Sequence, residues 1–220
     1  MNILLIFIEI IFCSTILIFL LKKYKYDGIY CGILIFSTLL GIISQKVIEI
    51  FGLEINLGFG ISALIFTASN IIIQKKGPKE IEKVITIILI SNLTMYIFLL
   101  LTSLINISSI NEISNISFNE LFFLNNRTYF ASILSLVISL WLNSILYHQI
   151  RQIKNKIWIS NILTTIVISF IECILFILIA YLFEIPLINL IELIAIRYVF
   201  KTIIGLIGTS VIYIANSIER

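Results

Sequence analysis

Charge is scarce in this 220-residue chain: only 12% of residues are Asp, Glu, Lys or Arg, against 60% hydrophobic ones. So little charge excludes a soluble domain and a disordered chain, and points to an integral membrane protein. Two prolines and 9 glycines exclude a fibrous or linker-rich class. The three cysteines, Cys13, Cys31 and Cys173, all lie in apolar runs. They show no C-x-x-C spacing and have no histidine nearby, so neither a metal site nor a disulfide framework is indicated. The single histidine, His148, sits at a helix end beside a basic loop and reads as an interfacial residue. No Walker sequence, dinucleotide fingerprint, HExxH or Ser–His–Asp set occurs. No enzyme is therefore expected, and nothing calls for a cofactor or a nucleic-acid partner.

What is abundant is the long apolar run. A bilayer's hydrocarbon core is about 30 Å thick and needs roughly 20 helical residues. Seven runs of this kind occur, at about 3–21, 28–48, 56–73, 84–105, 128–149, 158–183 and 186–214. The runs are continuous rather than alternating, which selects helices over a barrel. The expected fold is an all-α integral membrane protein, a polytopic bundle of about seven transmembrane helices. It forms a single membrane domain over 1–220, in which 1–27 is an extra N-terminal helix and loop and 28–220 the core. The first run has no positive segment before Ile3 and no small-residue cleavage site after Leu20, so it reads as a retained helix.

Basic residues sort by loop. Lys22, Lys23, Lys25, Lys75, Lys76, Lys79, Lys83, Arg151, Lys154 and Lys156 make up 10 of the 15 basic residues and occupy three alternating connections. The other connections carry Glu49, Glu54, Glu112, Glu120 and Glu184. The positive-inside rule then sets the N-terminus outside and the C-terminus in the cytoplasm. The heavy use of Ile, Asn and Lys fits an A/T-rich bacterial genome, and hence a bacterial cytoplasmic (inner) membrane. One outer connection, 106–127, is rich in Ser and Asn; its two glycosylation-type triplets, at Asn106 and Asn115, read as coincidence of composition.

Polar residues inside the runs are the informative ones. Glu172 lies near the centre of the sixth run and Lys201 near the centre of the seventh. A charge at that depth costs about 2.5–3.5 kcal/mol or more unless it is paired or wet. Thr165, Ser169 and Glu172 are spaced by four and three and share a helix face. Arg197 and Lys201 are four apart and share another; Ser139 and Asn143 do the same on the fifth helix. Ser69 and Asn70 sit near the cytoplasmic end of the third. The sixth helix runs up and the seventh down, so Glu172 and Lys201 reach similar depth. One reading is a structural ion pair; the other is a polar pocket at the midplane, where secondary transporters bind cargo. Glu9 and Glu192 are less telling, and the first helix could be peripheral.

The residues from Arg127 to Leu182 also resemble a known family, the queuosine precursor transporters or vitamin uptake transporter (VUT) family. The resemblance spans roughly 44–215. It rests on Arg127 with Ala131-Ser132, on Asn143 before Tyr147-His148, and on a basic loop with Trp158. Thr164-Thr165, then Ser169 and Glu172, then Tyr198, Phe200 and Lys201 complete it, with Gly58 to Gly77 resembling the family's third helix. The family has Asp where Asn70 and Asn143 stand, Pro where Ala63 stands, an acid near Gln74, and Asp in place of Glu172. This chain is thus a divergent member.

The resemblance implies uptake of 7-deazaguanine precursors of queuosine, such as preQ0 and preQ1. Glu172 would accept from the donor edge of a guanine-like base, with Lys201 or Arg127 close by to keep it charged. Asn143 would offer a donor and an acceptor. Asn70, Ser169 and Thr165 would complete the site, and Tyr198 would stack on the ring. Trp141 is expected to face lipid. The partners would be a small-molecule deazapurine and the lipid bilayer, with a homo-oligomer left open. Asn carries no proton, so transport by facilitation, or preference for a neutral nitrile cargo over a cationic aminomethyl one, would follow. The competing readings are the substrate-binding subunit of an energy-coupling vitamin transporter, and a membrane assembly protein whose ion pairs only hold helices together.

Overall fold

The computed structural model describes residues 2–50, 52–105, 126–154 and 156–218. Among these, six helices and one two-stranded hairpin occur. They are α1 (Asn2–Ile43), β1 (Val47–Ile50), β2 (Leu53–Asn56), α2 (Phe59–Lys76), α3 (Glu80–Ser103), α4 (Asn126–Ile153), α5 (Ile157–Tyr181) and α6 (Leu187–Ile218). The outer connection with its two Asn triplets lies outside the described residues, apart from its last two, Asn126 and Arg127, which begin α4.

Six helices stand where seven were expected, because the first two runs are one helical stretch bent at Lys25 (φ 54°, ψ −133°). Its two arms fold back on each other. A methyl group added at Gly28 would meet the backbone oxygen of Leu20, and one at Gly32 would lie 2.9 Å from Leu17. At their far ends both arms reach the start of α2, Ile10 against Gly60 and Leu40 against Gly58. Buried Ile10, Cys13, Leu17 and Leu21 belong to the same apolar core as α2, so the first arm is not peripheral. Among the described residues, four helices, Ile3–Ile43, Glu80–Ser103, Asn126–Ile153 and Ile157–Tyr181, are long and apolar enough to cross a membrane. Their outward faces carry residues such as Leu4, Phe12, Phe98 and Trp141, as helices in contact with lipid do.

The hairpin was not foreseen. Ile48-Glu-Ile and Leu53-Glu-Ile-Asn alternate apolar and polar residues, and Gly52 (φ +78°) supplies a left-handed turn position between the strands. Glu49 pairs in register with Glu54, and Ile48 with Ile55. Asn56 hydrogen-bonds Ser44 O (3.1 Å) and the Tyr181 hydroxyl, pinning the hairpin to the end of α5.

Helix α2 is the axis of the bundle. Every residue from Phe59 to Ile73 is buried, and α2 touches each of the other five helices. Apolar on all sides, it has no face to offer solvent or lipid, so it is enclosed by its neighbours. Gly77 (φ +90°) and Pro78 end it. The lysine-bearing turns gather at one end of the bundle. Lys76 Nζ lies 4.9 and 5.0 Å from the ring centroids of Tyr26 and Tyr30, and Tyr30 donates to Glu80 (2.8 Å). Asn216, near the end of α6, reaches Gln74 at that same end.

Candidate functional site

Three charged side chains meet where α5 and α6 face each other. Glu172 Oε2 is 2.6 Å from Lys201 Nζ, and Glu172 Oε1 accepts from Arg197 Nη2 at 3.3 Å. All three are 0–1% exposed. Glu172 lies nine residues before the end of α5 and Arg197 ten after the start of α6, each about 14–15 Å along its helix. That is mid-depth for a bilayer core. The matched depth of Glu172 and Lys201 follows from helix direction, as the sequence implied, and Arg197 joins one turn away.

The group holds two cations and one carboxylate. Glu172 Oε1 accepts from Arg197, while Oε2 and Lys201 Nζ are in ion contact without hydrogen-bond geometry; Arg197 Nε and Nη1 have no hydrogen-bond partner. Aromatic faces cover both cations: Phe176 lies 4.0 Å from the Arg197 guanidinium carbon and Phe66 lies 4.6 Å from Lys201 Nζ. Such cation–π contacts offset part of the desolvation of each cation without supplying an acceptor. Removing ions from water costs several kcal/mol each, and pairing repays this only where the charges balance. Here they do not.

Toward the lysine-bearing end, a small cavity opens beneath this group. It is lined by Ala63 and Phe66 of α2, Asn143 of α4, Thr165, Ile168 and Ser169 of α5, and Gly205 of α6. At ≈ 10 Å³ it has room for about one water molecule. Phe66 touches both the cavity and Lys201, linking the two. Gly205 is required by the approach of the helices: a methyl group there would sit 2.5 Å from Thr165 Cγ2.

Below the cavity runs a chain of amides. Asn143 donates to Asn70 Oδ1 (2.8 Å) and Ser69 (3.1 Å), Asn70 donates to Asn161 Oδ1 (2.9 Å), and Asn161 donates to Thr209 (2.8 Å) and Gly205 O (3.3 Å). The chain crosses α4, α2, α5 and α6 in one line. Asparagine suits it because each amide both donates and accepts.

Of the residues singled out from sequence, Glu172 and Lys201 stand in the charged group. Asn143, Ser169 and Thr165 line the cavity, and Asn70 adjoins Asn143. Two do not join them. Arg127 lies at the other end of the bundle, where it donates to Ile179 O (2.6 Å), Leu182 O (2.7 Å) and Glu184 (2.8 Å). At the first residue after the helix start it cannot reach mid-depth, and the open carbonyls at the end of α5 take its donors. Tyr198 is only half-buried and packs edge-on against Phe170, which is itself exposed. It is one residue round the helix from Arg197, a rotation of about 100°, and so faces away.

Sequence reasoning passed over Phe66, Phe176, Asn161 and Thr209. The last two carried a signal. Asn161 lies one turn before Thr165 on the polar face of α5, and Thr209 two turns after Lys201 on the face of α6.

Residues 56–215 match the model of a family described as "Putative vitamin uptake transporter". No curated protein and no solved structure matches the chain.

Proposed function

The chain belongs to that vitamin uptake transporter family, and on this premise we propose that it imports 7-deazaguanine precursors of queuosine across the bacterial cytoplasmic membrane. The observation that carries this reading is the wholly buried charged group at mid-depth, flanked by a polar cavity where α2, α4, α5 and α6 meet. A structural ion pair needs neither a second cation nor a cavity.

In this reading the cavity of about one water is the closed state of the site. A bicyclic base is far larger, so Phe66 and its neighbours on α2 must move for cargo to enter. The amide chain closes the path on the lysine-bearing side, and Arg127 with the Asn56–Tyr181 contact closes it on the other. Alternating access would open one closure at a time. Lysines gathered at one end support a cytoplasmic C-terminus and an outer N-terminus, by the positive-inside rule. Asn143, Ser169 and Thr165 would offer hydrogen bonds to the ring, and Phe66 its face.

The test is genetic. The chain is expressed in cells that lack both queuosine synthesis and their own transporter. Each precursor is fed at low concentration and the modified tRNA is scored. Rescue by at least one precursor is expected. No rescue by any, with the protein present in the membrane, overturns the assignment.

A further inference from the structure

The inner cavity has room for about one water, but a groove of ≈ 300 Å³ lies open at the end of the bundle opposite the lysine-bearing turns. That volume is at the lower edge of the range for small-molecule sites and suffices for a bicyclic base. One wall is the second strand of the hairpin, with Leu53 and Glu54. The other is the first two turns of α6, with Asn189, Glu192 and Leu193, and Ile185 comes from the turn just before them.

Helix spacing ties this groove to the charged group. Asn189, Leu193 and Arg197 follow one another at intervals of four on α6 and so lie along one side of it. Leu193 is a single turn, about 6 Å along the axis, from Arg197. The chemistry of the groove is acidic: Glu54 and Glu192 both line it, and neither has a hydrogen bond or an ion pair among the described residues. Hairpin stability does not call for Glu54. The register sets it directly opposite Glu49, and like charges so placed weaken a strand pair. Glu172, by contrast, has one oxygen on Arg197 and the other against Lys201. The acceptors free to read a donor edge are therefore the two outer ones.

From the groove's size, its place one turn from the charged group and its two free carboxylates, we propose that it is the outer capture site of the transporter. It takes a flat ring whose edge carries adjacent N–H donors, as a guanine-like base does. This rests on the transport reading and adds where the cargo first binds. Glu54 or Glu192 accepts the ring N–H and the amino group side by side, the stronger kind of hydrogen bond because the acceptor is charged. Asn189 can donate to or accept from the rest of the ring edge, and Leu53, Ile185 and Leu193 supply apolar contact to its faces. Asn56 lies on the same strand as Glu54 and holds the outer closure through Tyr181. Opening that closure moves one wall of the groove and lets the ring pass Leu193 toward mid-depth.

The test uses the full chain, purified for calorimetry and reconstituted in vesicles for uptake, with two pairs of rings. The first pair is preQ0 and its analogue without the 2-amino group; the second is guanine and hypoxanthine, which differ in the same way. Wild type is expected to bind the amino-bearing member of at least one pair about tenfold tighter. Glu54→Gln combined with Glu192→Gln should erase that preference and raise the KM of uptake about tenfold, with the maximal rate little changed. Both glutamates are exposed, so the melting temperature should stay near that of wild type. Leu193→Trp, which fills the groove, should weaken binding of every ring. Should the double variant fail to fold, Leu193→Trp and the wild-type pairs decide. Unchanged binding and KM in the double variant overturn the capture site and leave the deazaguanine assignment standing. A lower maximal rate at unaltered KM overturns it too, because the glutamates would then act after capture. Wild-type protein that shows no amino-group preference in either pair also overturns it. A glutamate-dependent preference for guanine, with no binding of preQ0, retains the groove and sinks the deazaguanine assignment.

Discussion

The charged group and the amide chain lie a few turns apart on the same helices, and they solve burial in opposite ways. The amide chain is neutral and closes on itself: each of Asn143, Asn70 and Asn161 donates, and Asn70 and Asn161 also accept. The charged group is open: Arg197 Nε and Nη1, Lys201 Nζ and Glu172 Oε2 all lack a hydrogen-bond partner. A saturated network needs nothing more and so suits holding helices together. An unsaturated one is costly at rest and is relieved when an acceptor arrives. In the proposed reading, the difference gives closure to the one and cargo to the other.

Glu172→Gln should have the largest effect, because it leaves two cations with no anion. Losing one partner of a buried charge pair costs about 3–5 kcal/mol, which lowers the melting temperature in detergent by roughly 6–20 °C for a chain of this size. Uptake should vanish with it. Lys201→Met leaves Arg197 and Glu172 at one to one, so its melting temperature should stay within a few degrees of wild type while uptake is lost. Equal stability loss in both variants would mean that charge balance does not govern the site.

A smaller effect is expected from Asn70→Ala, which cuts the amide chain in its middle and removes two hydrogen bonds. At about 0.6 kcal/mol each inside a membrane protein, the loss is about 1 kcal/mol, or a few degrees. Binding of cargo to the purified protein should be nearly unchanged. A large loss of binding with the fold intact would break the contrast and make the chain part of the cargo path.

Thr209→Val should do least. It removes the chain's last acceptor, but Asn161 keeps Gly205 O, so the stability loss should stay below about 0.6 kcal/mol. A rise in transport rate in this variant would sharpen the picture, since a weaker closure opens more often.

Much of this was legible in the residues. Helix direction and spacing put Glu172 level with Lys201, with Thr165 and Ser169 on one face, because a helix repeats every 3.6 residues whatever packs around it. Helix spacing does not say which faces meet. The line Asn143–Asn70–Asn161–Thr209 needs four helices at set rotations, and only packing supplies those. Arg127 shows a second limit: its place near a helix start marked it as a terminal residue, yet the sequence could not show that α5 ends beside it with free carbonyls. The hairpin was missed because its strands are only four residues each, with Val47, Ile48 and Asn56 absorbed into the flanking apolar runs and the rest looking like a short connection.

The bend at Lys25 bears on how the chain is made. Its two arms pack so closely that a methyl group at Gly28 would strike the backbone of Leu20. Arms this tightly matched can enter the bilayer together as a preassembled unit during synthesis, with Lys22, Lys23 and Lys25 at their shared tip. Gly28→Leu would then act before folding begins, giving chains of mixed orientation that quality-control proteases remove.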